Sequence, residues 1–480
     1  MKLTAEILSR DEQQRIHDHS LRVLWEAGVQ FHSLKALKLL AEAGATVDWE
    51  TKIARIPEKL VIQTLETAPK SFVLGARNSS YDYPMPSPHT RYTMDGTSAF
   101  ATDFETGERR YGTLKDLERG VRVFMAADMG VMCWPPCCAS DAPDGSRPLH
   151  EFLTMLRFCS KHGNHELHHP NQVPYFVAAL KAICGDDDAV RQRKIASVVY
   201  CPVAPLMHDA EMCDAYLDLG AYDVPILILP MPATGTTGPA SLFSNIVQGN
   251  AEALSSIVLY QLARPGRPLI YGSASGSLDF ASGGFLTGVP EMVLQTAAMA
   301  VMGRFYGLPN TATGCVSDAK ATGIQAVIEK VITTLPAVLV SADLVSGIGE
   351  IETSQNLILE QVLIDNEIAH FCERLHQGVD TSPQKDLIED IIHVGPGGNF
   401  LKARSTRVMA RSDEFYIPQL AVRQSYENWL ALGSPDMRDR AREKVREILN
   451  SPLVDPLPEV VSREIDEILR EADKELSAEE

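Results

Sequence analysis

Cys133, Cys137 and Cys138 flank Trp134-Pro135-Pro136, and His162, His165, His168 and His169 follow within eight residues of one another. Thiolates and imidazoles are zinc ligands, but structural zinc sites use paired ligands at set spacings. These cysteines lack that spacing, and a buried thiol usually serves as a small apolar core residue, so no metal is expected. Cys201 has neither a Gly-Cys-Gly context nor an evident histidine partner and reads as a core thiol. Carboxylates stand after apolar runs at Glu166, Asp318, Glu350 and Glu352, and aromatic rings lie in or near them at Tyr92, Phe100, Trp134, Tyr200 and Tyr271. Each alone is ordinarily a helix cap or a core side chain. Together in one cavity they make a cation trap, because ring faces and a carboxylate both stabilise a quaternary ammonium that cannot donate hydrogen bonds.

Three loops are built from small and hydroxyl-bearing residues: Pro230 to Pro239, Gly272 to Ser277, and Asn310 to Lys320. The first has no lysine at Walker spacing and lacks the dinucleotide glycine fingerprint. Small residues let a ligand approach the backbone closely. Converging on one face, the three loops give a broad, shallow surface that suits a flat macrocycle better than a phosphate.

The elements that must position these groups follow from periodicity. Ser9 with Glu12 forms a capping box ahead of a first helix, Leu34 to Ala41 repeats the helical spacing, and Pro57 opens a third helix. Residues 71–112 read as short strands and turns, a cap or hairpin region. From residue 113, apolar strands alternate with helices: Val131 to Trp134, Ala196 to Tyr200, Pro225 to Leu229, Pro268 to Tyr271 and Ala337 to Val340. Continuous apolar strands belong to a parallel sheet buried on both faces. The predicted fold is α/β, a TIM-type (β/α)8 barrel over 113–400, with an N-terminal helical layer in 1–112 and C-terminal helices in 401–480; an open doubly wound sheet is the alternative. Catalytic groups of such a barrel lie at the carboxyl ends of its strands.

Composition sets limits. The 480 residues are 45% hydrophobic and 22% charged, the balance of an ordinary globular protein. With 44 Lys and Arg against 63 Asp and Glu, the net charge of −19 offers no general attraction to nucleic acid or anionic lipid. The longest apolar runs, such as Val224 to Pro232, fall short of a membrane span, and the amino terminus lacks a secretory apolar core. Nine cysteines, an odd number in a long chain, fit a reducing compartment. A cytoplasmic protein with no nucleic-acid or membrane partner is expected, and a homo-oligomer is anticipated.

Longer motifs carry a family resemblance. Gly249-Asn250-Ala251-Glu252-Ala253-Leu254, Gln261 to Ser273, Phe305-Tyr306-Gly307-Leu308-Pro309, Ser317-Asp318-Ala319-Lys320, Glu360 to Glu367 and Val394 to Leu401 occur in the order found in the trimethylamine:corrinoid methyltransferase family. Ala27-Gly28-Val29, Ala43 to Asp48 and Thr106 to Arg110 are also similar to it. The chain resembles that family over nearly its whole length. The resemblance implies a barrel that moves a methyl group from an amine to the cobalt of cobalamin carried by a separate small corrinoid protein, with no tightly bound cofactor of its own. It further implies one-carbon metabolism of the methanogenic or acetogenic kind. Founding members carry pyrrolysine at the barrel centre; the equivalent column here, between Ser341 and Gly349, holds only ordinary residues. Such relatives resemble glycine betaine methyltransferases and enzymes for proline betaine, carnitine or other quaternary amines.

A quaternary ammonium already carries the charge that makes its amine a leaving group, so positioning and desolvation suffice. On this resemblance the substrate is a quaternary amine, glycine betaine foremost, with a non-catalytic betaine-binding protein or a zinc-dependent methyl transfer as alternatives. Tyr92, Phe100, Trp134 and Tyr271 are the expected cage, Glu166 and Glu350 its charge partners, and Asn399 a donor to a betaine carboxylate. Gly235, Thr236, Gly314, Ser317 and Asp318 are expected to face the corrinoid. Asn399, Ser405-Thr406 and Asn310 replace the histidine, His-Thr pair and arginine of many relatives.

Overall fold

The computed structural model describes residues 2–476; Met1 and residues 477–480, at the outer ends of the first and last expected regions, lie outside the described residues. Eight strands form one parallel sheet: β1 (Arg91–Met94), β2 (Gly130–Cys133), β3 (His162–His165), β4 (Ala196–Tyr200), β5 (Ile226–Ile228), β6 (Leu269–Tyr271), β7 (Thr311–Thr313) and β8 (Leu344–Ile348). Each strand pairs in parallel with the next, β8 pairs back onto β1, and a parallel bridge from Tyr271 to Asn310 joins β6 to the start of β7, closing the barrel. After each strand comes a helix: α1 (Leu114–Ala126), α2 (Arg147–Phe158), α3 (Val173–Cys184), α4 (Ala210–Asp218), α5 (Leu242–Ala263), α6 (Pro290–Phe305), α7 (Ile324–Leu339) and α8 (Leu359–Gln377). The expected TIM-type barrel is the fold observed. Strands β4, β5 and β6 are buried at every position, as strands covered on one face by helices and on the other by the barrel interior must be.

The barrel's limits differ from the sequence expectation. Its first strand is Arg91–Met94, inside the stretch read as a cap, because a four-residue strand containing Arg and Thr lacks the apolar run that marks the others. Its last helix ends at Gln377, ahead of residue 400. The expected strand Ala337 to Val340 is instead the carboxyl end of α7, and the eighth strand follows at Leu344. A short apolar run reads alike as buried strand and buried helix.

The N-terminal layer contains the three expected helices, Arg10–Arg22, Leu34–Glu42 and Glu58–Thr67. The Ser9–Glu12 capping box forms, and Pro57 is the N-cap of the third. Helices Arg10–Arg22 and Glu58–Thr67 pack on α5. At the other end, Met437–Asn450 packs on α8 and α1, and Glu459–Leu476 packs on α3 and α2. The last buries Ile465, Leu469, Ala472 and Leu476, one stripe of an otherwise charged helix. One glycine is required by the barrel itself. Gly347 has φ 136° at the β8 irregularity, and a Cβ there would lie 1.9 Å from the Gly314 carbonyl oxygen.

Candidate active site at the barrel mouth

A closed parallel barrel brings the carboxyl ends of all eight strands to one face, and there a cavity of about 130 Å3 opens. Asp95 follows β1, Trp134 follows β2 and Glu166 follows β3, and all three line it. Opposite stand Cys201 after β4, Leu229 and Met231 after β5, Phe285 from the β6–α6 segment and Met292 from the first turn of α6. The floor and remaining wall carry hydroxyls: Thr313 of β7, Ser346 of β8, Thr287, Thr353 and Ser354. The Thr313 and Ser346 hydroxyls are 3.2 Å apart. Among the described lining residues there is no Lys, Arg or His.

Loops far apart in sequence hold these groups. Glu352, Thr353 and Ser354 are consecutive residues with φ near 60°, a left-handed run that non-glycine residues adopt at a cost. The turn is fixed from outside. Thr353 donates to the Asp318 carboxylate at 2.9 Å, and that carboxylate also accepts from the Thr287 and Gly288 amides, each at 2.9 Å. Asp318 therefore ties together the loops after β6, β7 and β8. Ser354 in turn donates to Asp95, whose other carboxylate oxygen accepts from the Gly96 amide at 3.2 Å. The Trp134 indole N–H donates to Asn164 of β3 when that amide is oriented to satisfy its neighbours.

The field beneath the cavity is acidic and sparingly neutralised. Burial pushes the Asp95 carboxyl up, against the Ser354 hydrogen bond and the Lys330 charge that pull it down. Glu350 is 1% exposed and neither carboxylate oxygen has a hydrogen-bond partner. Burial first, and then the Asp95 charge, push it well above the usual carboxylate range. The Lys330 charge acts on both Asp95 and Glu350, but it is already paired with Asp365 at 2.8 Å, both side chains fully buried. Its ammonium also donates to the Cys315 and Gly347 carbonyls at 2.6 and 3.1 Å. Burial alone would lower the Lys330 pKa, but Asp365 and its other partners outweigh that and raise it. The arrangement gives a small chamber with anionic groups on one side, an indole beside them, and no positive charge of its own. It can hold a compact cation.

The sequence model of the family described as trimethylamine methyltransferase (MTTB) matches residues 2–476. The chain is 33% identical over 480 residues to the trimethylamine methyltransferase MttB2 of Methanosarcina mazei, covering 98% of this chain and 95% of that one. It is 30% identical over 462 residues to the glycine betaine methyltransferase of Desulfitobacterium hafniense, covering 94% of each. The chain belongs to the trimethylamine methyltransferase family. It is a methyltransferase. In fold it is similar to the Methanosarcina barkeri monomethylamine methyltransferase MtmB, with a TM-score of 0.52 at 9% identity, over 99% of this chain and 90% of that one.

The methyltransferase brings together only part of the expected site. Trp134 and Glu166 line the cavity. Glu350 lies behind Asp95 rather than among the lining residues. Tyr271 instead turns outward from β6, its hydroxyl donating to Asn250 of α5 at 2.5 Å. Tyr92 is also fully buried and absent from the lining, and its β8 partner is Val345, whereas the next pair, Thr93 and Ser346, places Ser346 in the cavity. The Phe100 ring is covered by the protein's own cation, with the Arg109 guanidinium 3.5 Å from its centroid and held there by Glu352 at 2.8 Å. Asn399 caps a short turn, accepting from the Leu401 amide at 2.8 Å, far along the chain from the cavity. Gly314 and Ser317 are buried and have no surface to present; Ser317 donates to Glu329 at 2.7 Å. Asp318 is spent on the loop contacts above. Gly235 and Thr236 retain exposure beside the mouth.

The histidines and cysteines disperse. His162 pairs with Ser197 at 2.9 Å, His165 with Glu151 at 2.9 Å, and His169 with Glu211 at 3.1 Å. Among the described residues no three His, Cys, Asp or Glu side chains converge as a metal site. Asp95, Thr313, Ser346, Thr353 and Ser354 were not singled out from sequence. Asp95 had a usable signal, since it directly follows Thr93-Met94, but only once that segment is placed as a barrel strand.

Proposed function

We propose that this methyltransferase takes a methyl group from a small quaternary amine in the barrel-mouth cavity and passes it to the Co(I) of a corrinoid carried by a separate protein, the acceptor substrate. The observation that carries this is the lining itself: two carboxylates and an indole on one side, hydroxyls below, and no cationic side chain among the described residues. Asp95 and Trp134 hold the ammonium, the walls exclude water, and one N-methyl carbon points to the open rim. The methyl carbon bonds to cobalt as its bond to nitrogen breaks, and the electron pair of that bond stays on the departing tertiary amine. The side chains here orient and desolvate; no proton need move for the transfer. Glycine betaine is the leading substrate, and the 30% identical glycine betaine methyltransferase supports that choice.

The test is methylation of a cob(I)alamin-loaded corrinoid protein, followed by absorbance, across glycine betaine, proline betaine, carnitine, tetramethylammonium and trimethylamine. Quaternary donors are expected to react and trimethylamine to fail. Activity with trimethylamine alone, or calorimetric binding of betaine with no change in cobalt absorbance, overturns the proposal. All nine cysteines are unpaired, and among the described residues no helix is long and apolar enough to cross a membrane, which supports a reducing cytoplasmic setting. A homo-oligomer belongs to the same proposal. Ile388, Ile391, Ile392, Leu401, Phe415 and Ile417 are exposed on the segment after α8, where Lys402, Arg404, Arg407 and Arg411 make no ion pair among the described residues. A second copy of this acidic chain would complement both features.

A further inference from the structure

We infer that a β-hairpin between β6 and α6, with Phe280 at its tip, is the element that grips the carrier of the methyl acceptor; this rests on the proposed function. The hairpin pairs Ser277–Leu278 with Phe285–Leu286 in antiparallel register. Its base belongs to the cavity, because Phe285 lines the chamber, and Gly276 beneath that ring has no room for a side chain, a Cβ lying 2.2 Å from Phe285 Cζ. Its flank is tied to the β5–α5 loop: Thr234 donates to the Gly276 carbonyl and Leu278 to the Thr234 carbonyl, each at 3.1 Å. Its tip is held without help from the core. The Asp279 amide donates to the Gly284 carbonyl at 2.8 Å, and the Gly283 amide donates to the Asp279 carbonyl at 2.7 Å. The Asp279 carboxylate accepts from the Ala281 amide at 3.0 Å and the Ser282 hydroxyl at 2.5 Å.

On this braced tip Phe280 is 73% exposed. Its ring lies beside Gly235, where a Cβ would come 2.8 Å from Phe280 Cζ, and most of its surface is open to solvent. Ala281, Ser282, Gly283 and Gly284 follow it, all exposed and too small to shield the ring. A preordered turn that holds a bare aromatic ring in water, one strand away from a residue of the reaction chamber, is a contact waiting for its counterpart. The chemistry identifies that counterpart. A methyl group moves by direct displacement, so the acceptor must come within bonding reach of a carbon inside the chamber, and whatever carries the acceptor must cover this rim. Met231, 40% exposed and also lining the cavity, extends the apolar edge toward the same opening. The occupant is therefore the corrinoid-bearing domain, seated with an apolar patch of its protein surface against Phe280.

The experiment compares wild type with Phe280→Ala and Phe280→Asp in three measurements: transfer to the cobalamin-loaded corrinoid protein at varied carrier concentration, transfer to free cob(I)alamin, and binding of the quaternary amine by calorimetry. Loss of a central aromatic contact should raise KM for the carrier about tenfold in Phe280→Asp and by a smaller factor in Phe280→Ala. Free cob(I)alamin transfer and amine affinity should stay within about twofold of wild type, since truncating a surface side chain leaves the chamber intact. An unchanged carrier KM overturns the inference. So does an equal fall with carrier and free cob(I)alamin, which would make the hairpin a lid on the amine. Failure of wild type with both acceptors strikes the proposed function itself and takes the docking role with it, a result distinct from the other two.

Discussion

Strands β1, β2 and β3 deliver Asp95, Trp134 and Glu166 to the cavity, whereas β4 and β5 deliver Cys201, Leu229 and Met231, and the two walls face each other across about 130 Å3. The acidic wall has Glu350 behind it and Lys330–Asp365 below; the apolar wall leads to the Phe285 hairpin and open solvent. The contrast shows how a cation can be held without being held too well. Positive charge on nitrogen fades as the carbon–nitrogen bond breaks, so carboxylates on every side would stabilise the bound substrate more than the transition state. Under the proposed function, the charged wall would fix the nitrogen and the uncharged wall would leave the methyl side free for its acceptor.

The comparison can be broken most directly at Asp95. Asp95→Asn keeps the shape and the Gly96 and Ser354 contacts within reach but removes the charge, and kcat/KM for a quaternary donor should fall about 100-fold, the scale of a lost charged contact. An effect under about threefold would mean that the acidic wall does not read the cation. Trp134→Ala should cost about tenfold, mostly in amine affinity by calorimetry, as for a partly desolvated cation–π contact. Glu350→Gln sharpens the picture through pH. Because the folded protein holds the Glu350 proton above the unfolded carboxyl pKa, wild-type stability must fall as pH rises from the unfolded value toward the folded one. The glutamine variant lacks that slope, so its melting temperature should exceed wild type by about 2 °C or more at pH 8 and converge with it near pH 4. Parallel melting curves would show that Glu350 is ionised throughout. On the apolar wall, burial pushes the Cys201 thiol well up, which leaves little thiolate for chemistry. Cys201→Ala should therefore change kcat/KM by no more than about twofold; a hundredfold loss would make that wall a participant.

The two walls were unequally legible. Trp134 and Glu166 sit immediately after strands, a position the sequence shows directly, and both line the cavity. Tyr92 and Tyr271 were assigned to the same place and belong to the layer between barrel and helices. The Tyr271 strand is apolar on both faces, so alternation fixes that a strand exists but not which residues turn inward, and the Tyr92 strand is only four residues long, too short for alternation to set its phase. Asp95 escaped because its strand is four residues long and carries an arginine. Ser346 and Thr313 escaped because a hydroxyl in a buried strand is ordinary until its neighbour across the sheet is known. Gly235 and Thr236 were placed near an exposed rim, while Gly314 and Ser317, of the same small polar character, are buried; composition of a loop does not tell its depth.

Sequence periodicity alone was enough for the capping box at Ser9, the helical layer before the barrel and the repeating strand–helix order, because those patterns are local and recur within a few residues. The cavity depended on contacts between distant segments: Ser354 on Asp95, 259 positions apart, and Thr353 on Asp318, 35 apart. Such pairs are set by the closure of the barrel and the inward phase of each strand. A one-residue change of phase turns a ring from chamber to core without altering any local pattern, so only the closed structure decides which side chains meet the substrate.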